Sequence, residues 1–305
     1  MTKPGRRQFL QTIAGLSALT VTPWAIAQSR QKLVKRIPGT NEDIPVVGMG
    51  SWGTFDVGSN ARLREQRVAI LQNFFKQGGG LIDSSPMYGS SEANIGYCLE
   101  ETGSDTMFSA TKVWVLGQER GIDQMNESAS LWGVKRFDLM QIHNFLDWKT
   151  HLRTLRRWKE EGRVRYIGIT TSHGRRTHDM AQVIANEPDL DFVQFTYNIA
   201  DRDAERRLLP LAAEHGKAVI INRPFRRKQL INAVARSPLP DWAADIECDS
   251  WPQFLLKFIV SHPAITCAIP ATSRVDHMIE NMSACHGSLP DAAMRQEMIR
   301  YFETV

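Results

Sequence analysis

The stretch FDLMQIHNFLDWKTHLRTLRRWKEEGRVRYIGITT (137–171) sets the pattern of the fold. Its two ends, residues 137–143 and 164–171, are apolar runs of the length of β-strands. Between them, Leu152, Leu155 and Trp158 share one face of a helical pattern whose other faces are charged. A strand, an amphipathic helix and a second strand in this order predict a βαβ unit with parallel strands.

The same alternation continues in both directions along the chain. Helical patterns with apolar residues three and four positions apart separate further apolar runs, and several runs are nearly continuous, as in strands covered on both faces. Eight repeats over roughly 260 residues predict an α/β fold, a (β/α)8 TIM barrel with an N-terminal hairpin or extended segment. A doubly wound open sheet is the alternative. The runs lie at 44–50, 80–85, 106–114, 137–143, 164–171, 191–198, 217–222 and 265–271.

Residues 48–53, Gly-Met-Gly-Ser-Trp-Gly, match the G-x-G-x-x-G pattern of dinucleotide-binding turns. Such a turn requires a helix that begins at the third glycine. Here residues 54–59 have the composition of a loop, and a helical pattern begins only after Asn60. We therefore interpret this segment as the first barrel strand and its loop.

The N-terminus has the features of an export signal. Arg6-Arg7 precede an uncharged stretch that includes the small-residue cleavage pattern Ala-Ile-Ala at 25–27. Paired arginines before a mildly apolar segment resemble a twin-arginine signal. The Tat export machinery recognises such signals and exports proteins that are already folded. A membrane anchor is the alternative, but Gly15, Pro23 and several hydroxyl residues interrupt the segment, so no stable membrane span is expected.

This interpretation divides the chain into an export signal at 1–27 and one barrel domain at 33–305, and it predicts a periplasmic or otherwise exported protein. The net charge of the chain is +4, and three of its basic residues lie within 1–27. The rest of the chain is therefore nearly neutral, which gives no reason to expect nucleic acid as a partner. The histidines and cysteines show no metal-ligand spacing, so we expect no metal site. A disulfide between Cys267 and Cys285 is conceivable after export, but buried free cysteines are favoured.

Four polar residues follow or end three successive runs: Asp83 and Tyr88, Lys112, and His143. Catalytic groups of such barrels lie at the C-terminal ends of the strands, so we expect these four to meet. Hydride transfer to a carbonyl builds negative charge on its oxygen, which requires a proton donor, and Tyr88 is the predicted general acid. We expect Lys112 to lower the phenol pKa from about 10, Asp83 to keep Lys112 charged, and His143 to orient the substrate oxygen.

The segments that carry these residues resemble the catalytic tetrad of the aldo-keto reductase family. They read LIDSSPMYGSSEANIG (81–96), FSATKVW (108–114) and LMQIHN (139–144), and the similarity continues through AIPATSRVDHMIENM (268–282). It covers roughly residues 33–290. The resemblance implies an oxidoreductase that transfers a hydride between a nicotinamide cofactor and a carbonyl or alcohol substrate.

The resemblance also implies a set of cofactor-binding residues. Within it, Thr171, Ser172 and Gln194 match positions that hold the nicotinamide carboxamide, and residues 272–274 and 280–281 match the 2′-phosphate and adenine contacts. Arg274 favours NADP(H) over NAD(H), because a guanidinium pairs well with a phosphate. The full set is Ser51, Trp52, Thr171, Ser172, Gln194, Asn222, Arg223, Pro224, Phe225, Thr272, Ser273, Arg274, Glu280 and Asn281.

Asn222 departs from the family pattern, because an aromatic residue that stacks on the nicotinamide ring is common at this position. Phe225 or Trp52 could replace that contact. The basic run 226–228 follows on the same rim, where it could approach the pyrophosphate or form a solvated face.

Two functions fit these observations. The first is an exported NADPH-dependent reductase, which could hold its nucleotide tightly and recycle it in place. The second is a non-catalytic barrel that binds the nucleotide as a sensor or regulatory subunit, which Asn222 and the export signal favour. The sequence does not identify the substrate. Only two short helical segments, 275–286 and 290–303, follow the last run, so we expect an open site without a long C-terminal substrate loop.

Overall fold

The structure is a computed structural model that describes residues 32–103 and 106–305. The predicted signal at 1–27 lies outside the described residues. The described chain begins with an antiparallel hairpin in which β1 (Val34–Arg36) pairs with β2 (Asp43–Pro45). Of the two predicted forms of this segment, a hairpin or an extended chain, the structure has the hairpin.

Eight parallel strands follow one another around a barrel in the order in which they occur in the sequence. Isolated parallel bridges from Val47 to Ala268 and from Gly50 to Ala271 bring the first and last strands together. This order confirms the (β/α)8 barrel, and the doubly wound alternative is wrong because the strand order never reverses. The strands are β3 (Met49–Gly50), β4 (Leu81–Asp83), β5 (Phe108–Val113), β6 (Phe137–Ile142), β7 (Val164–Thr170), β8 (Phe192–Thr196), β9 (Ala218–Asn222) and β10 (Cys267–Ala268).

The first predicted run, 44–50, is not one strand. Its beginning belongs to the hairpin, as part of β2, and its end forms the barrel strand β3. The hairpin pairing extends to Val46, whose amide donates to the Leu33 carbonyl at 3.2 Å, while its carbonyl accepts from the Ala268 amide at 2.9 Å, so the chain changes partners at this residue. The prediction of a single strand was wrong at this point.

The helices cover the outside of the barrel. Asn60 caps the first helix by accepting a hydrogen bond from the Leu63 amide to its side-chain oxygen at 3.0 Å, which confirms that residues 54–59 form a loop. The two predicted helices after the last strand are also present. The helices are α1 (Ala61–Lys76), α2 (Ser91–Thr102), α3 (Gln118–Trp132), α4 (Trp148–Glu160), α5 (Thr177–Asn186), α6 (Leu208–Glu214), α7 (Gln229–Val234), α8 (Trp251–Val260), α9 (Val275–Ser283) and α10 (Ala292–Phe302).

Two apolar clusters form the core. The larger one lies between strands and helices, and the smaller one joins alternate strand residues to Ile37 and Ile44 of the hairpin region. The hairpin thus packs against the N-terminal end of the barrel, which leaves the opposite end for a site. The four cysteines are buried and free, as favoured from the sequence. In the part of the chain that the structure describes, no helix combines the length and hydropathy needed to cross a membrane.

Candidate active site

A buried ion pair lies at the C-terminal end of the barrel. Lys112 is fully buried on β5, and its Nζ donates to Asp83 Oδ2 at 2.5 Å and to the Ser84 carbonyl at 2.6 Å. Burial is the largest single effect on the pKa of Lys112 and lowers it, but the charge and hydrogen bond of Asp83, together with the neighbouring acidic groups, hold that pKa above its ordinary value. Lys112 therefore carries its charge in the barrel interior.

Two glutamines hold the other oxygen of Asp83. Asp83 Oδ1 accepts from Gln141 Nε2 at 2.8 Å and from Gln194 Nε2 at 3.1 Å. A buried carboxylate with all its oxygens hydrogen-bonded has one preferred position. The glutamines thereby fix the position of Lys112 as well.

Tyr88 follows β4 and lies beside the ion pair, with Lys112 Nζ 5.4 Å from the centre of its ring. Burial raises the pKa of Tyr88, and Asp83 adds to this, while Lys112 opposes it. The expectation of a lowered phenol pKa is wrong in net direction, because the loss of solvent outweighs the effect of the ammonium. The phenol therefore keeps its proton at neutral pH, as a general acid must.

His143 directly follows β6, and its ring is nearly perpendicular to that of Tyr88, the ring centres being 5.8 Å apart. Burial, aided by the charge of Lys112, lowers the pKa of His143 to about 2, so the imidazole is neutral. Its Nδ1 lies 2.9 Å from Ser85 Oγ. Within 32–103 and 106–305, Nε2 has no hydrogen-bond partner, so it is left to contact a substrate oxygen.

A cavity of about 530 Å³ opens above these residues, and Asp83, Tyr88 and His143 line it, with Lys112 behind them. The barrel brings together the predicted tetrad and most of the predicted cofactor-binding residues. Those that line the cavity are Ser51, Trp52, Thr171, Ser172, Gln194, Asn222, Arg223, Pro224 and Phe225.

Asn222, at the end of β9, is bound into the cavity floor. Its Oδ1 accepts from Thr196 Oγ1 at 2.7 Å, and its Nδ2 donates to the Thr171 carbonyl at 2.8 Å and to Gln194 Oε1 at 3.4 Å. Asn222 thus occupies the position where an aromatic ring would cover the nicotinamide. Its side chain instead ties together the ends of the neighbouring strands.

The two aromatic residues that could replace that ring differ in exposure. Phe225 is 9% exposed and belongs to the core, whereas Trp52 is 46% exposed. The Arg227 guanidinium lies 4.3 Å from the centre of the Trp52 ring. Trp52 is therefore the aromatic side chain with more surface to offer a cofactor.

The remaining predicted cofactor residues lie outside the cavity, around the start of α9. Arg274 precedes this helix, and its Nε donates to Asp276 Oδ1 at 2.9 Å, with both side chains exposed. Ser273 is exposed, Thr272 and Asn281 are buried, and Glu280 is half-buried. The predicted 2′-phosphate ligand thus already pairs with a carboxylate on its own helix.

The basic run 226–228 has two environments. Arg226 Nε donates to Asp201 Oδ2 at 2.6 Å, whereas Arg227 and Lys228 line the cavity together with Arg223. Asp83 is the only acidic residue in the described lining, and Lys112 already balances its charge. This side of the cavity therefore fits an anionic group such as a pyrophosphate.

Sequence reasoning missed several residues of the site. Gln141 could have been found, because it interrupts an apolar strand two positions before His143 and so faces the same side. Ser85 could also have been found, because it comes two positions after Asp83 and so faces the same side of the chain. Met87 and Trp114 gave no signal, because an isolated apolar residue beside a strand is normally assigned to the core. In the described ranges no group of His, Cys, Asp or Glu could hold a metal ion.

Comparisons with known proteins agree with this geometry. The sequence model described as Aldo/keto reductase family matches residues 46–297. The chain is 24% identical over 259 residues to methylglyoxal reductase YeaE of Escherichia coli K12, covering 82% of this chain and 89% of that protein. It is 24% identical over 243 residues to the NADH-specific methylglyoxal reductase of the same organism, covering 69% and 73%.

Among solved structures, an aldo-keto reductase from Klebsiella pneumoniae in complex with NADPH superposes with a TM-score of 0.74 at 21% identity, covering 90% of this chain and 95% of that one. At this identity the likeness bears on the fold, and it agrees with the barrel described above.

Proposed function

The chain belongs to the aldo/keto reductase family, and on that premise we propose that it reduces carbonyl groups with NADPH, using Tyr88 as the proton donor. The observation that carries the proposal is the cluster of a protonated Tyr88, a charged Lys112 and a neutral His143 at one cavity. Members of this family are oxidoreductases that act on carbonyl and alcohol groups with NAD(P)H.

The side chains have separate tasks in this reaction. When bound, the reduced nicotinamide supplies the hydride. Negative charge then develops on the carbonyl oxygen, where the Tyr88 hydroxyl and His143 Nε2 would hydrogen-bond to it. Tyr88 gives up its proton to that oxygen, and the ammonium of Lys112 stabilises the phenolate that remains. Asp83 keeps Lys112 charged, and Gln141 and Gln194 hold Asp83.

Several residues would hold the cofactor. The amide and hydroxyl groups of Gln194, Thr171 and Ser172 suit the nicotinamide carboxamide, and the cationic side of the cavity suits the pyrophosphate. The choice of NADP(H) over NAD(H) rests on Arg274, whose guanidinium can pair with a 2′-phosphate. One relative is named NADH-specific, and a structural neighbour was solved with NADPH, so this choice requires measurement.

The export of the chain is part of the proposal. It rests on Arg6-Arg7 and the cleavage pattern at 25–27. A folded barrel that carries its nucleotide through the Tat machinery could work where free NADPH is scarce, if it recycled the nucleotide in place. The non-catalytic alternative is not favoured, because all four predicted tetrad residues lie together at one cavity.

The first test is the substitution Tyr88→Phe, which keeps the ring and removes the acidic proton. We expect kcat for aldehyde reduction to fall at least about 100-fold, while NADPH binding, followed by fluorescence, is retained. Tyr97→Phe is the matched control, because Tyr97 lies on α2 and does not line the cavity. Full activity of Tyr88→Phe would contradict the assigned role.

A second experiment tests export and cofactor together. The protein is purified from the compartment where it matures and denatured, and any released nucleotide is identified by mass and absorbance. We expect stoichiometric NADP(H) and a mature chain that begins near residue 28. A double substitution of Arg6→Lys and Arg7→Lys should keep the chain in the cytoplasm. An unprocessed cytoplasmic protein without nucleotide would overturn this part of the proposal.

A further inference from the structure

Ser85 contacts two of the proposed catalytic residues from one position. It follows β4, two residues after Asp83, and it is fully buried. Its carbonyl accepts a hydrogen bond from the Tyr88 amide at 3.0 Å, and its Oγ lies 2.9 Å from His143 Nδ1. The reaction proposed above assigns no task to this hydroxyl. It nevertheless lies against the imidazole nitrogen opposite the one that would contact the substrate.

The task of His143 depends on which ring nitrogen carries its proton. A neutral imidazole has one N–H that donates and one bare nitrogen that accepts. A carbonyl oxygen can only accept, so Nε2 must carry the proton if it is to hydrogen-bond the substrate. Burial, aided by the charge of Lys112, lowers the pKa of His143 to about 2, so the ring holds a single proton. Only one of the two neutral tautomers can therefore perform this task.

The partners of Ser85 Oγ favour one of these tautomers. A hydroxyl has one hydrogen to donate and two lone pairs that accept. Ser85 Oγ accepts from the Met87 amide at 3.4 Å, and across residues 32–103 and 106–305 its other partner is His143 Nδ1. If Nδ1 carried the proton and donated it, the buried hydroxyl hydrogen would have no acceptor. The hydroxyl therefore donates to Nδ1, which leaves the imidazole proton on Nε2.

The same hydrogen bond fixes the orientation of the imidazole ring. The backbone beside it is held separately, because the Asn144 amide donates to Thr170 Oγ1 at 3.2 Å. The ring could still rotate about the Cβ–Cγ bond of His143, and a half-turn would exchange each ring nitrogen with a ring carbon. Ser85 would then face a C–H group, and so would the substrate oxygen. The hydroxyl thus disfavours the orientation in which His143 cannot act.

We propose that Ser85 is a positioning residue whose hydroxyl donates to His143 Nδ1 and so holds the imidazole as the Nε2–H tautomer that contacts the substrate oxygen. Ser85 does not line the cavity, so it acts through His143. This inference rests on the proposed function for the task of Nε2, but the tautomer itself is measured without any turnover.

The tautomer in the unmodified protein is the first measurement. Nitrogen NMR at pH 7 distinguishes a protonated ring nitrogen from a bare one by its chemical shift, and Nε2 is recognised because it couples to both carbon-bound ring hydrogens. The chain contains 8 histidines, and the signals of His143 are those that disappear in His143→Gln. We expect a protonated Nε2 and a bare Nδ1. A protonated Nδ1 would overturn the proposal, whether or not the protein reduces carbonyl groups.

Substitutions then test whether Ser85 sets this tautomer. Ser85→Ala removes the donor, so the nitrogen shifts of His143 should move toward the average of the two tautomers. We expect kcat/KM for 4-nitrobenzaldehyde to fall about three- to tenfold, while the affinity for NADPH is unchanged. Ser85→Thr keeps the hydroxyl and should restore both the shifts and kcat/KM. If Ser85→Ala does not fold, Ser85→Cys replaces it, since a thiol fills a similar space and is a weak donor.

Ser91→Ala is the matched control. Ser91 is also a fully buried serine, three residues after Tyr88 on α2, but its Oγ has no hydrogen-bond partner within the described residues. This change should alter neither the His143 shifts nor kcat/KM. An Nε2–H tautomer that persists in Ser85→Ala, even with lower activity, would mean that Ser85 acts through packing alone and would overturn the proposal. The expected tautomer in a protein that reduces no aldehyde would instead count against the proposed function and leave the hydrogen bond between Ser85 and His143 in place.

Discussion

Arg274 is the proposed ligand of the 2′-phosphate, yet Asp276 binds its guanidinium through two contacts. Both side chains are more than half exposed, so their pairing is weak and a phosphate can displace it. The carboxylate would nevertheless repel a phosphate and compete for Arg274. The proposed preference for NADPH would therefore depend on a balance between one cation and its neighbouring anion.

The substitution Asp276→Asn removes that competitor. We expect the Kd for NADPH to fall about two- to fivefold and the Kd for NADH to stay unchanged, because NADH has no phosphate at this position. Fluorescence titration with each nucleotide measures both values. Glu297→Gln, an exposed change of equal charge on α10, is the control. An equal gain for NADH would show a general effect of charge rather than release of Arg274.

His143 should make the stability of the protein depend on pH. Its folded-state pKa is about 2, whereas an unfolded histidine titrates near about 6.5. Between these values the unfolded chain binds more protons, so stability falls as the pH drops through this window. From pH 6.5 to pH 5 the loss is about 2 kcal/mol.

The substitution His143→Gln should remove this part of the acid sensitivity. Urea denaturation at pH 7 and pH 5 measures the free energy of unfolding for both proteins. The difference between the two pH values should be smaller in the variant by about 2 kcal/mol. An unchanged difference would mean that the imidazole accepts a proton within the folded barrel.

The sequence predicts which residues form the site better than it predicts their hydrogen bonds and pKa values. Asp83, Tyr88, Lys112 and His143 could be placed together because each lies at or just beyond the end of a barrel strand. The hydrogen bonds of Asn222 could not be predicted, because its partners lie on or directly after other strands, up to 51 residues away. The net pKa of Tyr88 was misjudged for a similar reason, since its burial depends on the assembled site.

Three elements meet at Glu92, which is buried on α2. Its carboxylate accepts hydrogen bonds from Thr111 Oγ1 on β5, from Ser128 Oγ on α3 at 2.8 Å and from Trp132 Nε1 on α3 at 3.2 Å. These bonds couple both helices to the strand that carries Lys112. Glu92 thus helps to position the catalytic strand without lining the cavity.

Replacing Glu92 by alanine leaves three buried donors without their acceptor. An unsatisfied buried polar group costs about 1–3 kcal/mol, so we expect Glu92→Ala to lower the free energy of unfolding by at least about 3 kcal/mol. Urea denaturation measures the change, with Glu100→Ala, an exposed change on the same helix, as the control. A loss no larger than that of the control would mean that water replaces the carboxylate.

Elements were predictable where periodicity and local capping agree. The start of α1 follows from Asn60, whose side chain caps the helix. The division of the run 44–50 did not follow, because a continuous apolar run has the same appearance whether its residues pair with one sheet or two. The change of partner after Pro45 depends on where the hairpin packs, which is a property of the assembled barrel.

The barrel as a whole closes at a short seam. The first and last strands, β3 and β10, contain two residues each. They are joined by hydrogen bonds from the Gly48 amide to the Ala268 carbonyl at 2.8 Å and from the Gly50 amide to the Pro270 carbonyl at 3.0 Å. The central strands β5 and β6 contain six residues each and pair over a longer register. The seam is therefore held by less backbone pairing than the centre of the sheet.

The cavity lies across this seam, since Gly50 lines it from one side and Ala271 from the other. A nucleotide bound there would contact both ends of the barrel and disfavour opening of the seam. We expect the Gly48 and Gly50 amides to exchange with deuterium at least about tenfold faster than the Met140 amide on β6, and bound NADPH to slow that exchange at least about tenfold. Hydrogen exchange followed by NMR, with and without NADPH, measures both rates.

Seam amides that exchange as slowly as Met140 would show that the barrel opens elsewhere. Fast seam exchange that NADPH leaves unchanged would instead place the nucleotide away from the closure of the barrel.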